Sequence, residues 1–200
     1  MNNSILLNVG DIVPLSQTDG PGKRFTIWLQ GCSRHCLGCC NQQFLSHKEK
    51  HLLSVEYLAN EICSIIGIEG ITFSGGEPFE QSFALAILCE IVRKNRPELT
   101  FFCYSGYTQK ELFSSSDSGT KLLLQYIDIL VDGPFLKNRS GHYLWRGSSN
   151  QKIHFLTQRY TTDILTQKHV TTQVFVSADG VASMNGFNLD LNLLNLLNNL

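Results

Sequence analysis

The sequence predicts an α/β fold in which a parallel sheet is joined by crossover helices. Three observations carry that expectation. Between residues 24 and 135, β-rich segments alternate with segments whose apolar residues recur at helical spacing. The glycine-rich and chemically active turns follow the strands, and the carboxyl ends of parallel strands are where α/β proteins gather ligands. With 200 residues and 42% apolar content, the chain suits one domain with a hydrophobic core and is short for two.

The elements follow in order. RFTIWLQ (24–30) is β-rich and runs straight into the cysteine-bearing GCSRHCLGCCNQQ (31–43). SVEYLANEICSII (54–66) reads as a helix with Ser54 as its N-cap. GITFSGGEP (70–78) is a short strand that ends in a glycine turn, and FALAILCEIVRK (83–94) is a buried helix stopped near Pro97. LTFFCYSGYT (99–108) is a strand, SSSDSGT (114–120) a flexible surface loop by composition, and KLLLQYI (121–127) a helix. IDILVDGPF (127–135) is the next strand and turn. After Gly147 the pattern weakens: FLTQRYTTDILTQKH is polar and barely periodic. TTQVFVSADGVASMNGF reads as a hairpin turning at Asp179–Gly180, and NLDLNLLNLLNNL (188–200) as a narrow amphipathic helix.

Composition narrows the function classes. A net charge of −1 gives no basic excess with which to grip nucleic acid. No run of eighteen apolar residues is present, which predicts no transmembrane helix. MNNSILLNVGDIVP lacks a basic n-region and an extended apolar core, which predicts no secretory signal. The seven cysteines are an odd number, and Cys63, Cys89 and Cys103 sit in apolar segments as expected core thiols. This usage predicts a reducing, cytoplasmic setting.

The other four cysteines fall within nine positions. A structural zinc site pairs two short clusters across a spacer, and here one cluster stands alone, with His35 badly placed between two thiols. Iron–sulfur cubanes take four thiolates, so a loop that supplies three leaves an iron open to a substrate or cofactor. Cys40 is a candidate fourth ligand, but adjacent side chains diverge, which predicts only three thiols reaching one cubane. Zinc and iron–sulfur readings both remain open on the spacing.

The Cys-x3-Cys-x2-Cys loop of Cys32, Cys36 and Cys39, followed by a strand ending in Gly75-Gly76-Glu77-Pro78, resembles the radical S-adenosylmethionine superfamily. The resemblance implies a partial (β/α) barrel with a C-terminal hairpin and helix extension. It also implies a 4Fe–4S cluster on the three cysteines and S-adenosylmethionine chelated at the open iron. An electron from the reduced cluster would cleave that cofactor to a 5′-deoxyadenosyl radical, which abstracts hydrogen. Ser74, Gly75, Gly76, Glu77 and Pro78 would form the turn that holds the methionine moiety. Glycines admit close backbone approach there, and Glu77 can accept from an ammonium group.

A closer resemblance is to the glycyl-radical-enzyme activases, and among them to the branch that serves anaerobic ribonucleotide reductase. It rests on Asp19-Gly20-Pro21-Gly22 with Arg24, on Gly38-Cys39 and Asn41, and on Tyr104-Ser105-Gly106-Tyr107-Thr108. Val131-Asp132-Gly133-Pro134-Phe135 and Trp145-Arg146-Gly147-Ser148-Ser149-Asn150-Gln151 complete it. Leu37 stands where a proline is common, and Cys40 where an aromatic residue is usual. The resemblance implies a core over residues 1–155 and leaves 156–200 as an extension packed on the same domain. Ser105 and Asp132 become candidates for ribose, carboxylate or cation contacts, with turn capping as the alternative for Asp132. Arg139, Trp145 and Arg146 become candidates for contacting a protein partner, against a cation–π or salt-bridged surface patch. The implied partners are a glycyl-radical enzyme and a low-potential electron donor, with no nucleic acid and no membrane. A radical enzyme acting directly on a peptide or small molecule is the second reading, and a non-catalytic iron–sulfur or zinc module the third.

Overall fold

The computed structural model describes residues 4–179 and 181–186. The expected helix at 188–200 lies outside the described residues. The described residues form eleven strands and four α-helices: β1 (Leu6–Ser16), β2 (Arg24–Leu29), β3 (His51–Ser54), α1 (Val55–Ser64), β4 (Gly70–Gly75), α2 (Ser82–Asn95), β5 (Thr100–Tyr104), α3 (Gln109–Phe113), α4 (Ser118–Leu124), β6 (Ile129–Asp132), β7 (Ser140–Tyr143), β8 (Arg146–Ser148), β9 (Lys152–Phe155), β10 (Thr172–Val176) and β11 (Ala182–Gly186). Seven strands form one sheet in the order β3-β1-β2-β4-β5-β6-β9.

The sheet is mixed where the sequence predicts a parallel one. β2, β4, β5 and β6 run parallel, as the alternation with helices requires. β1 pairs antiparallel with β2 and β3, and β9 antiparallel with β6. Neither flank shows in the sequence pattern. β1 is irregular, with register shifts between Val9 and Asp11 and again between Val13 and Ser16 that break its alternation. β9 has four residues in a polar stretch.

Strand alternation sorts the side chains onto two faces. Phe25, Ile27, Leu29, Ile71, Phe73, Phe101, Cys103 and Leu130 join α1 and α2 in the main core. α1 is capped by Ser54, whose hydroxyl accepts from Tyr57 N at 3.1 Å. α4 begins inside the expected loop 114–120, because the Asp117 carboxylate accepts from Thr120 N and caps it. Phe102, Ile129 and Val131 face the other way and meet Trp145, Tyr160, Ile164 and Leu165 in a second cluster. The weakly periodic segment after Gly147 thus covers part of the sheet that the helices leave bare.

The rest of that second face is polar. Arg24 is fully buried, and its guanidinium donates to Thr72 Oγ1, Thr100 Oγ1 and the carbonyls of Pro21, Ile71 and Thr100. Burial lowers its pKa, and five donated hydrogen bonds compensate the loss of water.

Candidate functional site

The parallel strands deliver four turns to one rim, and backbone hydrogen bonds join them. After β2 the chain enters the cysteine loop, where Gly31 N donates to Phe44 O and Cys32 N to Leu45 O. Gly76 N, after β4, donates to Leu29 O, and Glu77 N donates to Gly31 O, both at 2.8 Å. Asn41 Nδ2 donates to Gly75 O at 3.2 Å, so the two loops are linked from both sides. Gly75 has φ +93°, and a Cβ on Gly76 would lie 2.1 Å from Gly31 O. The turn is therefore closed to any residue with a side chain at 76.

Glu77 extends the linkage to β5. Its carboxylate is buried and accepts from Phe79 N (3.1 Å), Ser105 Oγ (2.9 Å) and Gly106 N (2.7 Å). Burial raises its pKa to about 7, an effect that the three donors partly offset. Ser105 N donates to Val131 O and Gly133 N to Tyr107 O, which ties β5 to β6. Glu77 is engaged by these turns, so in this structure it fixes the rim instead of reaching outward as a bare acceptor.

These turns surround a cavity of about 400 Å³. Cys32, Cys36, Cys39 and Cys40 line it together with Ser74, Gly75, Gly76, Glu77, Ser105 and Gly133. All seven cysteines are free thiols. Four thiols thus line one cavity beside a bare glycine edge, although among the described residues no three His, Cys, Asp or Glu side chains are drawn together closely enough to hold a metal ion. Burial raises the pKa of Cys32, which favours its neutral thiol. The neighbouring Cys39 and Cys40 thiols influence each other, which raises the pKa of Cys39 and lowers that of Cys40. His35 adopts φ +43° and Gly38 φ +74°, the left-handed bends that turn this loop back on itself. Arg34 lines the cavity as well, with its guanidinium 4.7 Å from the Tyr107 ring centroid.

Other predicted residues fall elsewhere. Pro78 is buried outside the cavity lining and opens a short 3-10 turn, a position that needs no N–H. Asp132 is absent from the lining too; its Oδ2 accepts from Gln109 N at the start of α3, and its Oδ1 lies 3.0 Å from His154 Nε2. The expectation that Trp145 meets a partner is overturned. It is 1% exposed, with its ring edge-on to Phe102 at 5.5 Å and to His169 at 4.7 Å. Arg146 stacks over Tyr143 at 5.3 Å and donates to Gln151 O, which is the cation–π alternative. Arg139 is exposed.

The sequence reading missed several lining residues. Trp28 and Phe44 stack on each other at 5.6 Å, and Phe175, Met184 and Asn185 reach the cavity from β10 and β11. The alternation in TQVFVS shows a strand there but gives no sign of what it faces.

Residues 18–154 match the family described as 4Fe-4S single cluster domain. The anaerobic ribonucleoside-triphosphate reductase-activating protein of Vibrio cholerae is 34% identical over 158 residues, covering 76% of this chain and 99% of its own. The protein of that name from Haemophilus influenzae is 32% identical, covering 74% and 97%. The one from Enterobacteria phage T4 is 28% identical, covering 74% and 93%. Among solved structures, QueE from Escherichia coli overlaps 52% of this chain and 53% of its own at 17% identity, with a TM-score of 0.39, too slight a likeness to argue from.

Proposed function

The chain belongs to the 4Fe-4S single cluster domain family and to the anaerobic ribonucleoside-triphosphate reductase-activating proteins, and from that premise we propose how its cavity works. The protein is a radical S-adenosylmethionine enzyme that activates a glycyl-radical partner, anaerobic ribonucleotide reductase. When bound, the 4Fe–4S cluster supplies the electron that cleaves S-adenosylmethionine, so that hydrogen is abstracted from a partner glycine. The observation that carries the assignment is the joining of the cysteine loop to the Gly75–Gly76 edge by paired backbone hydrogen bonds around one cavity.

In our reading each residue of this chain has a share. Cys32, Cys36 and Cys39 would hold the cluster. Ser74, Gly75 and Gly76 present backbone to the methionine end of the cofactor. Glu77 fixes that edge against Ser105 and Gly106, and Pro78 starts the turn that follows. Asp132 acts as a positioning residue by accepting from Gln109 N at the start of α3, which Thr108 caps. Exposed Arg139 remains a candidate for partner contact. We take the open mixed sheet as a partial (β/α) barrel, with residues 1–155 as its core and 156–200 as an extension on the same domain. Contacts from Tyr160, Ile164 and Leu165 to the sheet support that division. Among the described residues no helix is long and apolar enough to cross a membrane, and the free thiols support a cytoplasmic setting with a low-potential electron donor.

Low-temperature electron paramagnetic resonance of the anaerobically reconstituted, reduced protein tests this. A 4Fe–4S signal that changes shape on adding S-adenosylmethionine is expected, followed by a glycyl radical on the mixed-in reductase. A cluster signal indifferent to the cofactor overturns the assignment.

A further inference from the structure

The hairpin of β10 and β11 lies beyond the family match, which ends at residue 154, and the relatives account for about three quarters of this chain and nearly all of their own length. It is nevertheless built into the cavity. Gln173 and Asn185 are register partners across the hairpin. The Gln173 amide accepts from Gln17 N and donates to Leu15 O. The Asn185 amide donates to Ser16 Oγ at 3.1 Å and to Asp19 Oδ2 at 2.7 Å. Asp19 is 3% exposed, so the hairpin supplies one of the donors that a buried carboxylate needs. Two residues from Gln173, and so on the face that Gln173 and Asn185 share, Phe175 turns into the cavity opposite its register partner Ser183, while Val174 and Val176 on the other face point to solvent.

We propose that this hairpin is the cavity wall on the side of β1, and that Phe175 is its shielding side chain, which keeps water and small hydrogen donors from the reacting atoms. The inference rests on the reading above that this cavity seats the cluster and its cofactor.

The test uses the full chain in two states. In the metal-free protein, N-ethylmaleimide labelling followed by mass spectrometry reads access to each thiol. Phe175→Ala and the unlatched Asn185→Ala are expected to speed labelling of Cys32 about fivefold or more, as local opening would. Cys63, on α1, serves as the internal control and keeps its rate. Val176→Ala, on the outer face, is expected to change neither. In the reconstituted protein with the reductase, dithiothreitol is added as a competing donor: its S–H bond breaks, a C–H bond forms on the 5′-carbon in place of the one drawn from glycine, and a thiyl radical remains. Glycyl radical formed per cofactor cleaved is expected to fall severalfold in the two inner-face variants and to hold in wild type. Unchanged Cys32 labelling and unchanged coupling overturn the wall, as does an equal effect from Val176→Ala. If wild-type protein cleaves no cofactor, the functional reading falls, and the labelling still decides whether the wall exists.

Discussion

The two faces of the central sheet are built from the same strands to different specifications. On β5, Phe101 and Cys103 enter the helix-covered core, while Phe102 turns the other way and Tyr104 lines the cavity. On β4, Ile71 and Phe73 pack against helices, while Thr72 donates to Asp19 O and Ser74 reaches the cavity. The helix face is apolar and tolerant, since dispersion and burial are non-directional. The cavity face depends on hydrogen bonds and on the absence of side chains, where geometry is strict. Stability and function should therefore respond to different substitutions, even at residues of one type.

Cysteine provides the sharpest division. Cys36→Ala is expected to reduce cofactor cleavage to background, with iron content of the reconstituted protein as the parallel measurement. Cys89→Ala, in the helix-side core, should keep a full cluster and lose only about 1–2 kcal/mol on urea unfolding. Equal activities would erase the difference between the faces. Glycine gives the next test. Gly76→Ala places a Cβ against Gly31 O, and should cost about 3 kcal/mol or more while freeing the cysteine loop from the β4 turn. Gly67→Ala is the control: it has φ +85° but nothing within 4 Å, so about 1–2 kcal/mol of backbone strain is all that is expected.

How much of this was legible follows from the same contrast. The rim turns were readable because glycine and cysteine are rare choices with specific chemistry, and the Ile-Thr-Phe-Ser alternation of β4 already marks one polar face. Trp145 was misread because its burial comes from His169 and Phe102, contacts distant in sequence within or against a polar stretch. The loop at 114–120 hid a helix start because Asp117 caps and turns are drawn from the same residues. The hairpin was visible as a hairpin, but its destination depended on the amides of Gln173 and Asn185 finding partners more than 150 residues away.

Glu77 allows the cavity face to be examined through pH. Its folded pKa, about 7, lies above the ordinary value of 4.5, so the native protein holds a proton that the unfolded chain releases. The protonated form therefore contributes stability that is fully present below about pH 4.5 and is lost as pH rises through about 7, by an amount of about 3 kcal/mol at most. Glu77→Gln stays neutral throughout. Unfolding of metal-free wild type and variant at pH 5, 6, 7 and 8 should show a difference that shifts against wild type as pH rises. A flat difference would mean that the donors from Ser105, Gly106 and Phe79 already hold the carboxylate ionised.

Ser54→Ala carries the smallest expected effect and examines the other face. The hydroxyl accepts from Tyr57 N at the start of α1, and its loss should cost about 1 kcal/mol with cluster content and cofactor response unaltered. Ser54 and Glu77 share no hydrogen-bond partner, so the double variant should lose the sum of the two within about 0.5 kcal/mol. Non-additivity beyond that would mean that strain from the rim passes through β4 into the helix layer. Tyr57 N would then report on the same cooperative unit as the cavity, and the two faces would no longer be separable by substitution.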